Sequence, residues 1–459
     1  MRIPVALTLL VSLAACAAPP AAPPAGAPPA AGAPEGRGGE APPPAPAAPA
    51  AAEAQVEDEA LPAFRAEAFK LEDALAVGRV RSPALRTARR RLRLAEAGVV
   101  TARQLPFNPV VTAQGATDYL FKREDENRFS VGLSQTFETG GQRGRRSELA
   151  EAAVRAAEAA VKDAERRFRR DAALAFFDLL LATRRLEIAR ASVELRARIL
   201  EIAEARARAG DIPEVDANLV RLELRQAEAE RAAAAREVDV AGAGLRAIIG
   251  LGEAAGLKPA GEFPAPAGAQ PLDLTARALA ARPDLAALRH EREAAGARVD
   301  LERASVSPDV TLEVFYDYEE ATAPGVPIDV DNLIGVAVAV PIPIFNRRQG
   351  EILEAERAVA LVDAEIRALE VEVRRQIEVA AASLARAVER ADTYEKDIVP
   401  LAEGNLELNR EAYRLGQVGT LEVLRAEEEA IKVRAARVEA LRDRAAALAD
   451  LEAATGGEP

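Results

Sequence analysis

The 459-residue sequence holds one cysteine, one histidine, one methionine and no tryptophan, and its aromatic content is 4%. One Cys and one His cannot make a Cys/His zinc site within a chain, an internal disulfide or a CxxC redox pair. His290 alone cannot support the triad chemistry of most hydrolases. Basic excess is also missing: 60 Lys and Arg face 73 Asp and Glu, a net charge of −13. A nucleic-acid partner is therefore not expected, because nothing is left over to neutralise phosphates. After the first 15 positions no apolar run reaches the length of a spanning helix. That absence leaves room for a β-barrel, whose strands hide their hydrophobicity in alternation.

The first 15 residues read as a secretory signal: Arg2, an apolar run from Ile3 to Leu13, then the small residues Ala14 and Ala15 before Cys16. Residues 16–60 are mostly Ala and Pro, with Gly and a few acids, and contain runs such as Pro42-Pro43-Pro44. Such a segment cannot build a core and reads as an extended tether.

The remainder is written twice, with an offset drifting from about 199 to 206 residues. Ser82-Pro83-Ala84-Leu85 returns as Arg282-Pro283-Asp284-Leu285, and Ala209-Gly210-Asp211-Ile212 returns as Leu415-Gly416-Gln417-Val418. Residues 61–255 form the first repeat and 256–455 the second, with a short tail over 456–459. Each copy predicts an opening helix (71–104; 271–305), two alternating strands, a long helix (143–209; 349–415) and a returning helix (213–249; 420–454). At about 1.5 Å per residue the long helix spans about 100 Å. The returning helix is too short to match it, so an opening helix must complete its length. The expected stacking places 271–305 above 213–249, and 71–104 above 420–454. The long helix carries a seam at Val154, Ala157, Val161, Ala164, Phe168 and Ala172, in steps of three and four that suit a coiled coil.

Four strands are expected around 107–121, 129–137, 310–319 and 333–342. Phe129, Val131, Leu133 and Phe137 alternate with Ser130, Gly132, Ser134 and Thr136. Val310, Leu312, Val314, Tyr316 and Tyr318 alternate with Asp309, Thr311, Glu313, Asp317 and Glu319 in the second copy, with Phe315 the one apolar interloper. This is the pattern of transmembrane strands, and nine of the 17 Phe and Tyr residues lie in 105–140 and 310–346. Four strands cannot close a barrel, and a bare sheet edge is not tolerated in lipid. Three chains supplying twelve strands would close one.

The fold class expected is thus mainly α with membrane β: a duplicated coiled-coil tunnel joined to a trimeric twelve-stranded barrel. The duplicated layout, the helical-turn motifs and the segment Val340-Pro341-Ile342-Pro343-Ile344-Phe345-Asn346-Arg347-Arg348 resemble the bacterial outer-membrane efflux channel family typified by TolC, and particularly its heavy-metal members. The opening motif Ala281-Arg282-Pro283-Asp284-Leu285 resembles the family's second-repeat start. The residues before Cys16 resemble a lipobox, implying a covalent lipid, palmitate included, on Cys16 as the sole attached group. The resemblance implies a non-enzymatic outer-membrane channel of a tripartite system. Substrates, heavy-metal cations among them, would pass from an inner-membrane pump and a periplasmic adaptor to the exterior. Gly210, Asp211, Ile212, Gly416, Gln417, Val418 and Gly419 match the periplasmic tip that docks the adaptor. Asp216 and Glu422 occupy equivalent repeat positions and would form carboxylate rings at the pore constriction, although acids there also suit solvated helix N-termini. Arg425, three residues from Glu422, would pair with it and latch the tip. No metal site is expected. The alternative reading is a periplasmic coiled-coil adaptor or scaffold lipoprotein.

Overall fold

The computed structural model describes residues 65–117, 127–252, 256–266, 273–321 and 329–456; Cys16 and the tether lie outside them. The elements run α1 (Leu71–Arg81), α2 (Pro83–Arg103), β1 (Val110–Thr117), β2 (Asn127–Phe137), α3 (Gln142–Ala209) and α4 (Glu214–Ile249). The second repeat follows with α5 (Leu274–Ala281), α6 (Pro283–Ala304), β3 (Val310–Ala321), β4 (Asp329–Ala339), α7 (Gln349–Thr393), α8 (Val399–Arg414) and α9 (Thr420–Thr455). Among the described residues no helix is long and apolar enough to cross a membrane.

Each opening helix is broken where one helix was expected. Ser82 and Arg282 adopt extended ψ values of 125° and 124° because each precedes a proline. The prolines then begin α2 and α6, where a missing N–H costs nothing. The second long helix is interrupted by a π turn, Tyr394–Ile398, just before Pro400. Pro400 has no N–H to donate, and the wider turn absorbs the lost bond. The corresponding stretch of α3 contains no proline and runs unbroken. β4 stops at Ala339, short of the expected Ile342, because Pro341 and Pro343 cannot serve a ladder.

The four strands form one antiparallel sheet in the order β1-β2-β3-β4. The helices follow it in four columns. Near the sheet the neighbours are α2, α3, α6 and α7; farther away they are α4, α3, α9 and then α7 with α8. The short helices therefore stack opposite to the arrangement expected from their lengths. The end of α4 abuts the end of α1, with Gly250 so close to Arg81 that an added Cβ would lie 2.2 Å from its carbonyl oxygen. The end of α9 meets the end of α5, where an added Cβ on Gly456 would lie 3.6 Å from Ala281. Each returning helix is thus continued by the opening helix of its own repeat. Short hairpins tether both to the same flank of the long helix, and backbone bonds Phe69 N to Lys258 O (2.9 Å) and Ala260 N to Phe69 O (2.8 Å) tie the beginning of the first repeat to the first residues of the second.

Gly250 has φ +74° as well as that close contact. Gly250→Ala is expected to cost at least about 1–2 kcal/mol from the left-handed backbone alone, read as a lowered thermal midpoint.

The main apolar core lies at this mid-level, around Phe168, Phe176, Phe177, Leu179, Leu180, Leu245 and Ile249. On α3 the buried stripe between the sheet and Phe168 passes through Ala152, Ala156, Ala159 and Asp163. The seam residues Val154, Ala157, Val161 and Ala164 are half-buried beside it. The long helix has partners on two flanks, so its buried face is wider than one coiled-coil seam.

Candidate functional site

Register separates the two faces of the sheet. Val111, Leu133, Val314 and Val336 form one cross-strand row, and Ala113, Val131, Tyr316 and Ile334 the next. The first row is between 47% and 70% exposed, so this apolar face is uncovered within the chain. The opposite face carries Gln114, Ser130, Asp317 and Leu333 in one row, then Ala116, Arg128, Glu319 and Asp331. Glu313 belongs to that polar face, and Arg128 pairs with Glu319 there. The ring of Phe315 fills the space a Cβ would need on Gly335, its cross-strand neighbour. One apolar and one acidic face suit a sheet standing between lipid and a water-filled lumen.

At the junction of sheet and helices, the repeats use one device twice. Gly141 and Arg348 cap the long helices in left-handed conformation, with φ 74° and 56°. The next residue accepts a backbone bond at 2.8 Å in each case: Gly140 N donates to Gln142 Oε1, and Arg347 N to Gln349 Oε1. Buried Gln142 also donates to Asp309 Oδ1 at 3.1 Å. Arg348 takes a conformation that costs a β-carbon-bearing residue roughly 1–2 kcal/mol. Its guanidinium offsets that cost by pairing with Glu302, which is 2% exposed.

Mid-level, the motif Arg282-Pro283-Asp284 forms a buried clamp. Arg282 is 2% exposed and forks onto Asp284 at 3.0 and 2.5 Å. It also donates to Gln376 Oε1 at 2.8 Å and to the Ala454 carbonyl at 3.1 Å. Arg166 donates to the Ala453 carbonyl at 2.8 Å and approaches Asp284 at 3.6 Å. Burial pushes the Asp284 carboxyl up, but Arg282 and then Arg166 outweigh it and hold it below its ordinary value. The clamp caps the last carbonyls of α9 and fixes α6 above it.

The tip lies at the opposite end of the helices from the sheet. Gly210 and Gly416 end α3 and α8 in left-handed conformation, φ 79° and 70°. Asp211 N donates to Arg206 O at 2.9 Å and Gln417 N to Ala412 O at 2.8 Å, closing both helices in the same manner. Asp211, Gln417 and Gly419 are exposed, while Ile212 and Val418 are half-buried. Ile212 packs onto Ile199, Ala203, Ala217, Val220 and Leu424, which joins the two helical hairpins. Asp216 and Glu422 each occupy the third residue of a returning helix. Asp216 is half-buried; Glu422 and Arg425 are exposed. The expected Arg425–Glu422 pair does not form: Glu422 turns its carboxylate back toward Gly419, 2.9 Å from where a Cβ would stand. Glu422 stands in the first turn of α9, where a helix end favours negative charge. His290 bonds to Glu293 at 3.1 Å on the surface of α6. Among the described residues no group of His, Cys, Asp or Glu is arranged to hold a metal ion.

Above the tip lies a feature that the sequence reading did not single out. Glu427 of α9 is 1% exposed, Arg196 of α3 is 7% exposed, and Ser192 is buried beside them. The signal was faint: Glu427 follows Leu424 by three residues and precedes Ile431 by four, a seam position, but it opens an acidic triplet that reads as a solvated face.

The sequence pattern of the outer membrane efflux protein family matches residues 77–251 and again 274–457. The chain belongs to that family. The cobalt-zinc-cadmium resistance protein CzcC of Cupriavidus metallidurans is 27% identical over 380 residues, covering 82% of this chain and 87% of that protein. The fold matches CusC with a TM-score of 0.69 at 18% identity, over 84% of this chain and 92% of CusC. It matches VceC of Vibrio cholerae with a TM-score of 0.66 at 22% identity, over 84% and 96%. The protein is an outer-membrane efflux channel component, mostly helical with a small membrane sheet, and nothing favours the adaptor alternative.

Proposed function

We propose that three copies of this chain close into a twelve-stranded barrel on a helical tunnel. Through it, heavy-metal cations pass from an inner-membrane pump and its periplasmic adaptor to the exterior. The observation that carries this reading is the common order of the columns. At every level the same two flanks are left open: β1, α2 and α4 on one side, β4, α7 and α8 on the other. Leu401, Leu408 and Leu415 on one flank and Val215, Leu219 and Leu222 on the other are exposed. A head-to-tail ring covers both flanks and leaves no sheet edge in lipid.

Two observations support cations as cargo. Among the described residues Glu313, Asp317, Glu319 and Asp331 share the lumen face with a single arginine, Arg128, and repelling anions is the expected consequence. CzcC, whose name states cobalt, zinc and cadmium resistance, is similar along most of its length. This chain has no soft-ligand set to chelate the ions, so they cross as passing substrate. The repeat division at residues 255 and 256 describes one hairpin unit each. Gly210, Asp211, Ile212, Gly416, Gln417, Val418 and Gly419 receive the adaptor, and Asp216, Glu422 and Arg425 surround the tip opening. A lipid on Cys16, joined through the 16–60 tether, holds the chain to the outer membrane.

Detergent-purified full-length protein is expected to run as a trimer by native mass spectrometry and to conduct Zn²⁺ in planar bilayers with cation-selective reversal potentials. Labelled palmitate is expected on the native chain and absent from Cys16→Ala. A monomer soluble without detergent overturns the channel assembly, and anion selectivity overturns the choice of cargo.

A further inference from the structure

Neither carboxylate oxygen of Glu427 meets a hydrogen-bond donor of the protein. Its nearest cation is Arg410 of α8, with Nη2 3.8 Å from Oε1. Arg196 of α3 faces the same site, yet its Nε also lacks a partner. Both arginines are shared: Arg196 lies 3.7 Å from Glu223 of α4, and Arg410 lies 3.9 Å from Glu407, as loosely as from Glu427. The other charges of α9 turn elsewhere, Glu428 to Lys432 at 2.5 Å and Arg434 to Glu403 at 3.2 Å. From α8 the Tyr413 hydroxyl is likewise buried without a partner, beneath the guanidinium of Arg206 at 5.5 Å from its ring. A cavity of ≈ 410 Å³ opens one turn away, lined by Ser192, Arg410 and Arg434 and by the charged Glu187, Glu194 and Arg198 of α3, with Glu427 itself set behind its wall.

A buried, ionised carboxylate with no hydrogen bond is costly, whereas the neutral acid is tolerated. We propose that Glu427 is a proton-operated latch between α9, α8 and α3. Neutral, it seals the three helices together above the tip. Ionised, it drives them into a second arrangement in which the carboxylate reaches a guanidinium or the solvent of the cavity, and the tip loosens. The device belongs to the second hairpin alone: the equivalent position in the first repeat, counted from Gly416 and Gly210, is Arg221, exposed and paired with Glu204 at 2.6 Å. The π turn above α8 gives that helix a place to reorient without moving α7.

Burial pushes Glu427 up to about 7, against the opposing pull of Arg410 and Arg196. The sealed packing binds the proton more tightly than an exposed carboxyl does. Its stabilisation is therefore complete below the ordinary carboxylate value and lost as pH rises through about 7.

The test is hydrogen exchange, corrected for intrinsic rates, on the detergent-purified full-length trimer. Protection over residues 420–434 is expected to fall about tenfold per pH unit from roughly pH 5 to pH 7 and to level off above that. Glu427→Gln and Glu427→Leu, both neutral, are expected to keep full protection throughout. Equal pH profiles in the native protein and either neutral variant overturn the latch. The consequence for gating rests on the channel reading. Bilayer conductance should rise over the same range in the native protein and stay flat in Glu427→Gln. If exchange switches but no variant conducts, the latch stands and the channel reading fails.

Discussion

Ile334→Arg is expected to abolish assembly in the outer membrane, while Leu333→Arg, one residue away, is expected to assemble and conduct. Ile334 lies near the middle of β4, in the apolar row with Ala113, Val131 and Tyr316, and is 76% exposed. A cationic side chain on the lipid face near the midplane costs about 2–4 kcal/mol. In the proposed barrel of three copies that becomes roughly 6–12 kcal/mol, comparable with the whole stability of a typical fold. Leu333 points to the other face, opposite Asp317. An arginine there gains a carboxylate neighbour in water and removes part of the negative field. The expected signature is a normal heat-modifiable band in outer-membrane fractions and a reversal potential shifted away from cation selectivity. If both variants assemble equally well, the sheet does not divide lipid from lumen and the barrel reading falls.

The second large effect concerns the mid-level clamp. Arg282→Ala is expected to destabilise the chain by about 3–5 kcal/mol, since removing one member of a buried pair strands the other. Asp284 would keep Arg166 at 3.6 Å, while the Ala454 carbonyl and Gln376 would lose their donor. Arg282→Lys keeps the charge but not the fork, and should fall between the two. Arg292→Ala is the control: its partner Asp363 is matched at the surface, where side-chain exposures are 53% and 32% and pairs are worth about 0–1 kcal/mol. The clamp also has a pH sense. Asp284 titrates below its ordinary value, so its contribution is present above that value and is lost as pH falls through the lowered one. Thermal midpoints of the purified protein at neutral and acid pH should converge between native protein and variant as that carboxylate takes up its proton. Parallel curves would show that Arg282 acts through packing alone.

These two sites differ in how openly the sequence displays them. The strands were legible because side chains alternate strictly across a sheet; Phe129, Val131 and Leu133 can point only to one face. The tip turns were legible because Gly210 and Gly416 supply a backbone conformation that other residues resist. The clamp motif was visible as a repeated Pro, but the burial of Arg282 was not, since an arginine before a proline looks like any exposed helix start. Glu427 was hidden in Glu427-Glu428-Glu429, where one acid faces inward and its neighbours face water. A helical period tells which residues share a face, and the choice among faces belongs to the partners.

The sequence by itself determined the duplication, the alternation of the strands, the two helix-ending glycines and, although unbroken helices were expected there, the proline breaks. Each is set by local backbone chemistry or by a two-residue period. Tertiary structure decided that α2 stands over α4 and α6 over α9, that the buried stripe of α3 runs through Asp163, and that Glu422 turns to Gly419 rather than to Arg425. Those outcomes depend on which helices flank a long helix at each level and on the field at a helix end. They are energies of packing and charge between segments far apart in the chain, to which a local pattern is blind.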